Sequence, residues 1–245
     1  MSKIRVGIPT NEKVFPEVQK ILIRSTMRHP EQEPRQFIVR ADDTEYVFAR
    51  MSEIARLTLF GYIDCGFVTW DCWTEAIIPI VCQRSGVGAW IKVPQALKEF
   101  SDLCRCTIAF IAPRATRLDG ISSENGIVHG ILRHPKSRGQ ARIATRFPCI
   151  TEEALSVRSL PNTVSYAKHP MSGEDILNQC SIDTVDGSEE LYVLLGAADF
   201  AVVQIETGQT LQVNNLQVIQ EIMWSHLLLV GAPNHQAKKF AACLR

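Results

Sequence analysis

Gly187-Ser188-Glu189-Glu190-Leu191-Tyr192-Val193-Leu194-Leu195-Gly196-Ala197-Ala198-Asp199-Phe200-Ala201-Val202-Val203-Gln204-Ile205-Glu206-Thr207-Gly208-Gln209-Thr210-Leu211 is the stretch that decides the reading of this chain. Ser188-Glu189-Glu190 starts a helix, with a hydroxyl at the cap and acids in the first turn. Phe200 to Ile205 is apolar except for Gln204, the pattern of a strand buried on both faces. Glu206-Thr207-Gly208-Gln209-Thr210-Leu211 then turns the chain into another helix. Gly208 permits a positive φ or a close ligand approach, and Thr207 and Thr210 bring hydroxyls beside free backbone N–H groups. That is the chemistry of a phosphate cradle. An ordinary strand-to-helix turn with a threonine cap has the same spacing, and one glycine does not separate the two. Glu206 lies where a sugar hydroxyl or a metal beside the phosphate could be reached.

Outward from this stretch, strand-like and helix-like segments alternate. Ile4 to Ile8, Phe37 to Arg40, Tyr46 to Ala49 and Tyr62 to Val68 read as strands; Glu17 to Thr26, Ser52 to Phe60 and Cys72 to Cys82 read as helices. A second series begins near Cys104, with strands at Cys106 to Ala112, Arg142 to Thr145 and Val164 to Tyr166, and a helix starting at Thr151-Glu152-Glu153. Strands alternating with helices predict parallel α/β sheets, and two series predict two α/β lobes with a cleft between them. The expected division puts residues 1–103 and 224–245 in lobe I and residues 104–223, with the cradle, in lobe II. Two segments lack periodicity: His29 to Arg35, and Arg114 to Gly139, which has the length of loops that carry function.

A length of 245 residues suits one large domain or two lobes of about 100 residues each. Lys plus Arg and Asp plus Glu number 26 each, so no electrostatic case exists for nucleic acid or an anionic membrane. No secretory signal is visible, and no apolar run approaches the roughly 20 residues that span a bilayer. The eight cysteines sit mostly in apolar segments, as reduced core thiols do, and predict a cytoplasmic protein.

Other chemistries find little support. Cys104-Arg105-Cys106 has no second pair at zinc-site spacing, and reads as a strand edge with two buried thiols. The histidines form no HExxH, and no GxSxG elbow is present. Asp64 and Asp71 flank a strand end, where open α/β sheets bind ligands, although Asp71 also suits a helix cap. Trp70 and Trp73 could stack on a ring or simply pack. Arg133, Lys136, Arg138, Arg142 and Arg146 form a basic stretch that pairs with phosphates or is a solvated loop.

Gly187-Ser188, Glu190-Leu191, Leu195-Gly196, Ala198-Asp199 and Glu206-Thr207-Gly208-Gln209-Thr210-Leu211 together resemble the GS-x-E-L…LG-x-AD…ETG-x-TL signature of the ATP phosphoribosyltransferase family of histidine biosynthesis. Arg142-Ile143-Ala144-Thr145-Arg146-Phe147-Pro148 resembles its RIAT-x-(Y/F)-P segment, Arg50-Met51-Ser52-Glu53-Ile54 its RP-x-DI segment, and Gly61 to Asp71 its G-x-x-D-x-G-ITG-x-D strand. The resemblance implies a two-lobed fold like the type II periplasmic binding proteins, with the active site in the interlobe cleft. It implies that Thr207, Gly208, Gln209, Thr210 and Leu211 hold the 5-phosphate of phosphoribosyl pyrophosphate (PRPP), that Glu206 is catalytic, and that Mg2+ accompanies PRPP. Arg50, Asp71, Trp70 and Thr10 fall on the acceptor side, where ATP or another heterocycle would bind. The chain ends at Arg245, as a short family member without a C-terminal regulatory domain would. Short members work with a separate regulatory subunit resembling a histidyl-tRNA synthetase, and a homo-oligomer is expected.

Departures bear on the acceptor. Pro9-Thr10-Asn11-Glu12-Lys13 stands where the family has PKGRL, so Thr10 and Glu12 replace two cations. A glutamate near a triphosphate is repulsive by about 1 kcal/mol per screened unit-charge pair at ~4 Å. Val203 stands where the family has a second acid, in AD-x-x-x-D, that faces the ribose or its metal. Thr69 replaces the glycine of ITG, and Trp70 narrows the wall beside Asp71. The expected activity is therefore displacement of pyrophosphate from PRPP by a ring nitrogen of ATP or of a different heterocycle. Val203 favours the competing reading, a non-catalytic binder or pseudoenzyme subunit that keeps the cradle without turnover.

Overall fold

A computed structural model describes residues 3–25, 27, 36–82, 94–116, 141–156, 162–165, 180–232 and 234–245. The chain runs β1 (Ile4–Pro9), α1 (Phe15–Arg24), β2 (Ile38–Ala41), β3 (Thr44–Ala49), α2 (Met51–Leu59), β4 (Cys65–Thr69), α3 (Trp70–Cys82) and β5 (Gln95–Phe100). It continues with β6 (Cys106–Pro113), β7 (Arg142–Thr145), α4 (Pro148–Ser156), β8 (Asn162–Ser165), β9 (Cys180–Thr184), α5 (Glu189–Leu194), β10 (Phe200–Ile205) and α6 (Gln209–Val213). β11 (Leu216–Ser225), β12 (Leu227–Gly231) and α7 (His235–Cys243) close it. Two compact units result: Met1–Arg105 with Ser225–Arg245, and Cys106–Trp224. The chain crosses two residues later than the sequence suggests at the first boundary and one residue later at the second, because Leu103 and Cys104 still belong to the turn after β5.

The first unit is built on a six-stranded sheet of order β2-β3-β1-β4-β12-β5. β1 is parallel to β3 and β4, while β12 runs antiparallel to β4 and β5. Helices cover both faces, which is why β4 is buried at every position. Val6, Ile8, Cys65 and Phe67 pack against α1 and α7 through Val18, Leu22, Ala237 and Phe240. On the opposite face Val68, Leu228 and Val230 meet Ile54, Leu59 and Trp73 of α2 and α3. Gly7 and Gly66 are register partners beneath α2. A Cβ on Gly7 would come within 2.7 Å of Ile54 Cγ2, and one on Gly66 closer still, so both glycines are required by the close approach of that helix. Burial pushes the Cys65 thiol pKa up, as befits an inert core thiol. None of the six cysteines with described side chains forms a disulfide.

The second unit is built on a sheet of order β11-β6-β10-β7-β9-β8. β10, β7, β9 and β8 are mutually parallel, and β6 runs antiparallel to β10. Ala201 and Val203 share one face of β10 and pack with Ile111, Ala144, Val193 and Leu211. No helix among the described residues is long and apolar enough to cross a membrane.

Two hydroxyls that the sequence places at helix starts do not cap. Thr151 lies inside α4, fully buried, with its hydroxyl donating to the Phe147 carbonyl at 2.7 Å. The helix starts three residues earlier with Pro148, whose missing N–H costs nothing in the first turn. Ser188 precedes α5 but sits at φ 58° with no side-chain cap bond. β5, β9, β11, β12 and α7 lie in segments left unassigned by periodicity.

Candidate functional site

Ligands in open α/β sheets gather at the C-terminal ends of parallel strands. In the second unit that edge is formed by β7, β9 and β10, with Thr145 in register with both Val202 and Thr184. β10 runs three residues further, and Glu206-Thr207-Gly208 then turns into α6. Gly208 takes φ 73° with open space around its α-carbon, so backbone conformation rather than crowding selects glycine there. The Gln209 N–H faces the Thr207 hydroxyl at 3.4 Å, and the first intrahelical bond is Gln212 N–H to the Gly208 carbonyl at 3.1 Å. The N–H groups of Thr210 and Leu211 precede that bond and have no intrahelical acceptor. Glu206, Thr207, Gln209 and Thr210 are exposed. Leu211 is not: its side chain is 7% exposed within the core cluster, so it anchors the turn and offers a ligand only its N–H.

Val203 is 1% exposed and belongs to the same cluster as Leu211. Its side chain therefore contributes to the core rather than to a ligand surface. All of Phe200 to Val203 is buried, and Val203 pairs with Ala109 and shares its face with Ala201.

The basic stretch divides. Arg133, Lys136 and Arg138 lie outside the described residues. Arg142 is committed to structure: its Nη2 donates to the Gly196 carbonyl at 2.9 Å, and its backbone N–H donates to Asp199 Oδ2 at 2.9 Å. Arg146 follows β7 at the edge and donates from Nε to Glu189 Oε1 at 2.9 Å. The Thr184 hydroxyl is the single buried side-chain polar atom without a partner among the described residues. Burial raises the Asp183 pKa, and the opposing charge of Arg142 does not cancel the rise.

In the first unit the ends of β1, β3 and β4 bring Thr10, Arg50 and Trp70 to one edge. Thr10 and Arg50 immediately follow the register partners Pro9 and Ala49, and both are exposed. Asn11 next to Thr10 has a structural task, since its Oδ1 accepts the N–H of Lys13 at 2.9 Å and of Val14 at 3.3 Å. Asp71 departs from the expectation of a ligand-facing acid. It is 2% exposed, its backbone N–H donates to Ser225 Oγ at 3.0 Å, and the Ser225 hydroxyl donates back to Oδ1. Trp70 stacks on His226 with ring centres 6.0 Å apart and planes 21° apart, and His226 Nε2 meets Glu99 Oε2 at 3.3 Å. These partners escaped sequence reading because Asp71 and Ser225 are 154 positions apart.

The curated ATP phosphoribosyltransferase of Rhodopirellula baltica is 25% identical over 241 residues, covering 98% of this chain, which spans 65% of that relative's length. Among solved structures, the ATP phosphoribosyl transferase (HisG:HisZ) complex from Thermotoga maritima superposes with a TM-score of 0.67 at 19% identity, covering 98% of this chain and 94% of that one. A histidine kinase sensor domain with similarity to periplasmic binding proteins gives a TM-score of 0.51 at 12% identity, over 98% of this chain and 89% of that one. At such identities the likeness shows the fold, which is the two-lobed α/β fold of type II periplasmic binding proteins. Residues 50–244 match the family model HisG: ATP phosphoribosyltransferase, and the chain belongs to that family.

Proposed function

We propose that this protein is a PRPP-dependent phosphoribosyltransferase that joins the 5-phosphoribosyl group to a ring nitrogen of ATP or of a different heterocycle, releasing pyrophosphate. The observation that carries the reading is the Glu206–Leu211 turn, with Gly208 at positive φ and the Thr207 and Thr210 hydroxyls exposed beside N–H groups that lack intrahelical acceptors. Thr207 to Thr210 would hold the 5-phosphate, with the Leu211 N–H completing the cradle. Glu206 would face the ribose, where a carboxylate stabilises the positive charge that develops as the glycosidic bond opens. Orientation of the two substrates would supply much of the remaining acceleration.

Magnesium belongs to the same reading. No cluster of three or more His, Cys, Asp or Glu suited to a metal occurs among the described residues. That donor set still fits Mg2+, which takes one or two carboxylates together with substrate phosphates and keeps several waters. Glu206 is the carboxylate at the cradle, and the ion would neutralise charge on the pyrophosphate.

Thr10, Arg50 and Trp70 would form the acceptor side. Thr10 and Glu12 are exposed where the family presents cations, and Trp70 is held against His226, which favours a ring less charged than a nucleoside triphosphate. Asp71 would act there only through the backbone it fixes. The competing reading, a non-catalytic binder, rests on Val203, whose side chain packs in the core where the family motif carries an acid. The Thermotoga structure is a HisG:HisZ complex, which supports a second subunit here; from the family resemblance we infer that it is regulatory and resembles a histidyl-tRNA synthetase, and that the assembly is homo-oligomeric.

Pyrophosphate release from PRPP, measured with ATP and with a panel of purine, pyrimidine and imidazole acceptors, tests the activity. Release with one acceptor class supports it. Thermal stabilisation by PRPP without release under any acceptor overturns the enzyme, and no stabilisation by PRPP or phosphate overturns the cradle.

A further inference from the structure

Arg146 and Glu189 form a pair that neither the cradle nor the sheet core uses. Glu189 is 1% exposed at the start of α5, and the Arg146 side chain is 46% exposed just beyond β7. Burying a carboxylate costs more than a half-exposed arginine returns, so stability is a poor reason for the pair. Its effect is geometric. Nε donates to Glu189 Oε1 at 2.9 Å, and the guanidinium carbon lies 5.5 Å from the centre of the Phe147 ring. One donor and one face of the guanidinium are thereby fixed. Its terminal nitrogens make no hydrogen bond or ion pair among the described residues. They remain in the planar arrangement that grips phosphoryl oxygens two at a time.

Both positions are open ones in the motif blocks. Arg146 is the variable residue of the RIAT-x-FP segment, and Glu189 that of the GS-x-E-L segment. The pair is therefore no part of what the motif resemblance implies. It also stands at the cradle's edge of the sheet. Thr145 pairs with Val202, and β10 runs three residues past that pair, about 10 Å, before the cradle turn begins at Glu206. An extended arginine and a ribose carrying phosphoryl groups at both ends together span that separation. The unpartnered Thr184 hydroxyl, in register with Thr145, leaves one more donor unspent at the same edge.

We propose that Arg146, aimed by Glu189, holds a second phosphoryl group of the sugar ligand, beyond the one in the Glu206–Leu211 cradle. Arg146 then sets the preference for a ribose phosphorylated at two positions over ribose 5-phosphate. Glu189 is the positioning residue. This inference rests on the sugar-phosphate reading of the cradle.

Titration calorimetry with ribose 5-phosphate and with PRPP separates the two claims. Arg146→Gln is expected to leave ribose 5-phosphate affinity within about twofold and to weaken PRPP about tenfold or more, as loss of a two-pronged charged contact does. Arg146→Lys should recover only part of the loss, because it keeps charge without the fork. Glu189→Gln should weaken PRPP about threefold with the arginine still present, since a neutral acceptor aims the guanidinium less firmly. If Arg146→Gln fails to fold with Glu189 left unpaired, the Arg146→Gln/Glu189→Gln pair removes that charge and should show the same selective loss. PRPP binding by the arginine variant at the unaltered level overturns the inference, and so does equal loss of both ligands. An unaltered Glu189→Gln overturns the positioning role. Failure of the unaltered protein to bind either sugar phosphate overturns the function instead.

Discussion

Val203→Asp restores the acid that the family motif carries, and the structure sets the consequence. Val203 is 1% exposed and packs with Ile111, Ala144, Val193 and Leu211. Removing its methyl groups forfeits about 2 kcal/mol of burial. A carboxylate in the same place has no partner, so the full loss at pH 7 should reach about 4 kcal/mol or more. Burial raises the pKa of the introduced carboxyl above its unfolded value of about 3.9. Between the two values the folded state binds more protons than the unfolded state, so stability falls as pH rises through that window. The deficit relative to the unaltered protein should therefore be largest at pH 7 and shrink toward pH 4. Urea unfolding at both pH values measures it, with Val203→Ala as the control that loses volume without gaining charge. The alanine variant should lose about 2 kcal/mol at either pH. If Val203→Asp unfolds at the same urea concentration as the unaltered protein at pH 7, and also binds PRPP more tightly, the side chain faces the ligand. The core assignment is then refuted.

Gly66→Ala drives a methyl into Ile54 and should cost about 1–3 kcal/mol in urea unfolding. Adding Ile54→Ala should cost less than the two losses summed, and strict additivity would contradict the wedge. Ser225→Ala removes the two hydrogen bonds that Ser225 shares with Asp71, leaving the weak Cys72 Sγ contact to Oδ2, and should destabilise by about 1–3 kcal/mol; an unchanged midpoint would mean that those two bonds do not hold Asp71 in place. Asp183→Asn should stabilise at neutral pH, because burial raises the Asp183 pKa and its ionised form is penalised. As pH falls through that raised pKa the native carboxyl takes its proton, and the advantage should vanish, as chemical denaturation across pH would show.

The strands that position both candidate edges are legible where the pattern is local. Phe200–Ile205 stands where composition predicts it, because an apolar run broken only by Gln204 and bounded by turn residues leaves few alternatives, and Arg142–Thr145 is also a strand as expected. The same continuity hides which way β10 faces. A strand buried on both sides has no alternation, so only the folded packing shows which core cluster Val203 joins. β12 is not legible for a related reason: Leu227–Gly231 is a short apolar run that periodicity cannot separate from a helix segment. α7 carried a readable signal in Asn234, whose side chain caps the helix by accepting the Ala237 N–H at 2.8 Å. The contacts that bury Asp71 and orient Trp70 had none, since their partners arrive from the far end of the chain.

That late arrival bears on how the molecule is made. β12 lies between β4 and β5 in its sheet, yet it is synthesised only after the whole second unit. Until then the first unit has a gap in the middle of its sheet and lacks α7 against one face. The second unit is one uninterrupted segment, Cys106–Trp224, and needs nothing synthesised after it. Vectorial synthesis, which ordinarily lets the N-terminal domain fold first, is reversed here. The part begun first is completed last, and nascent chains halted before Leu227 would expose the strand edges that β12 is there to join.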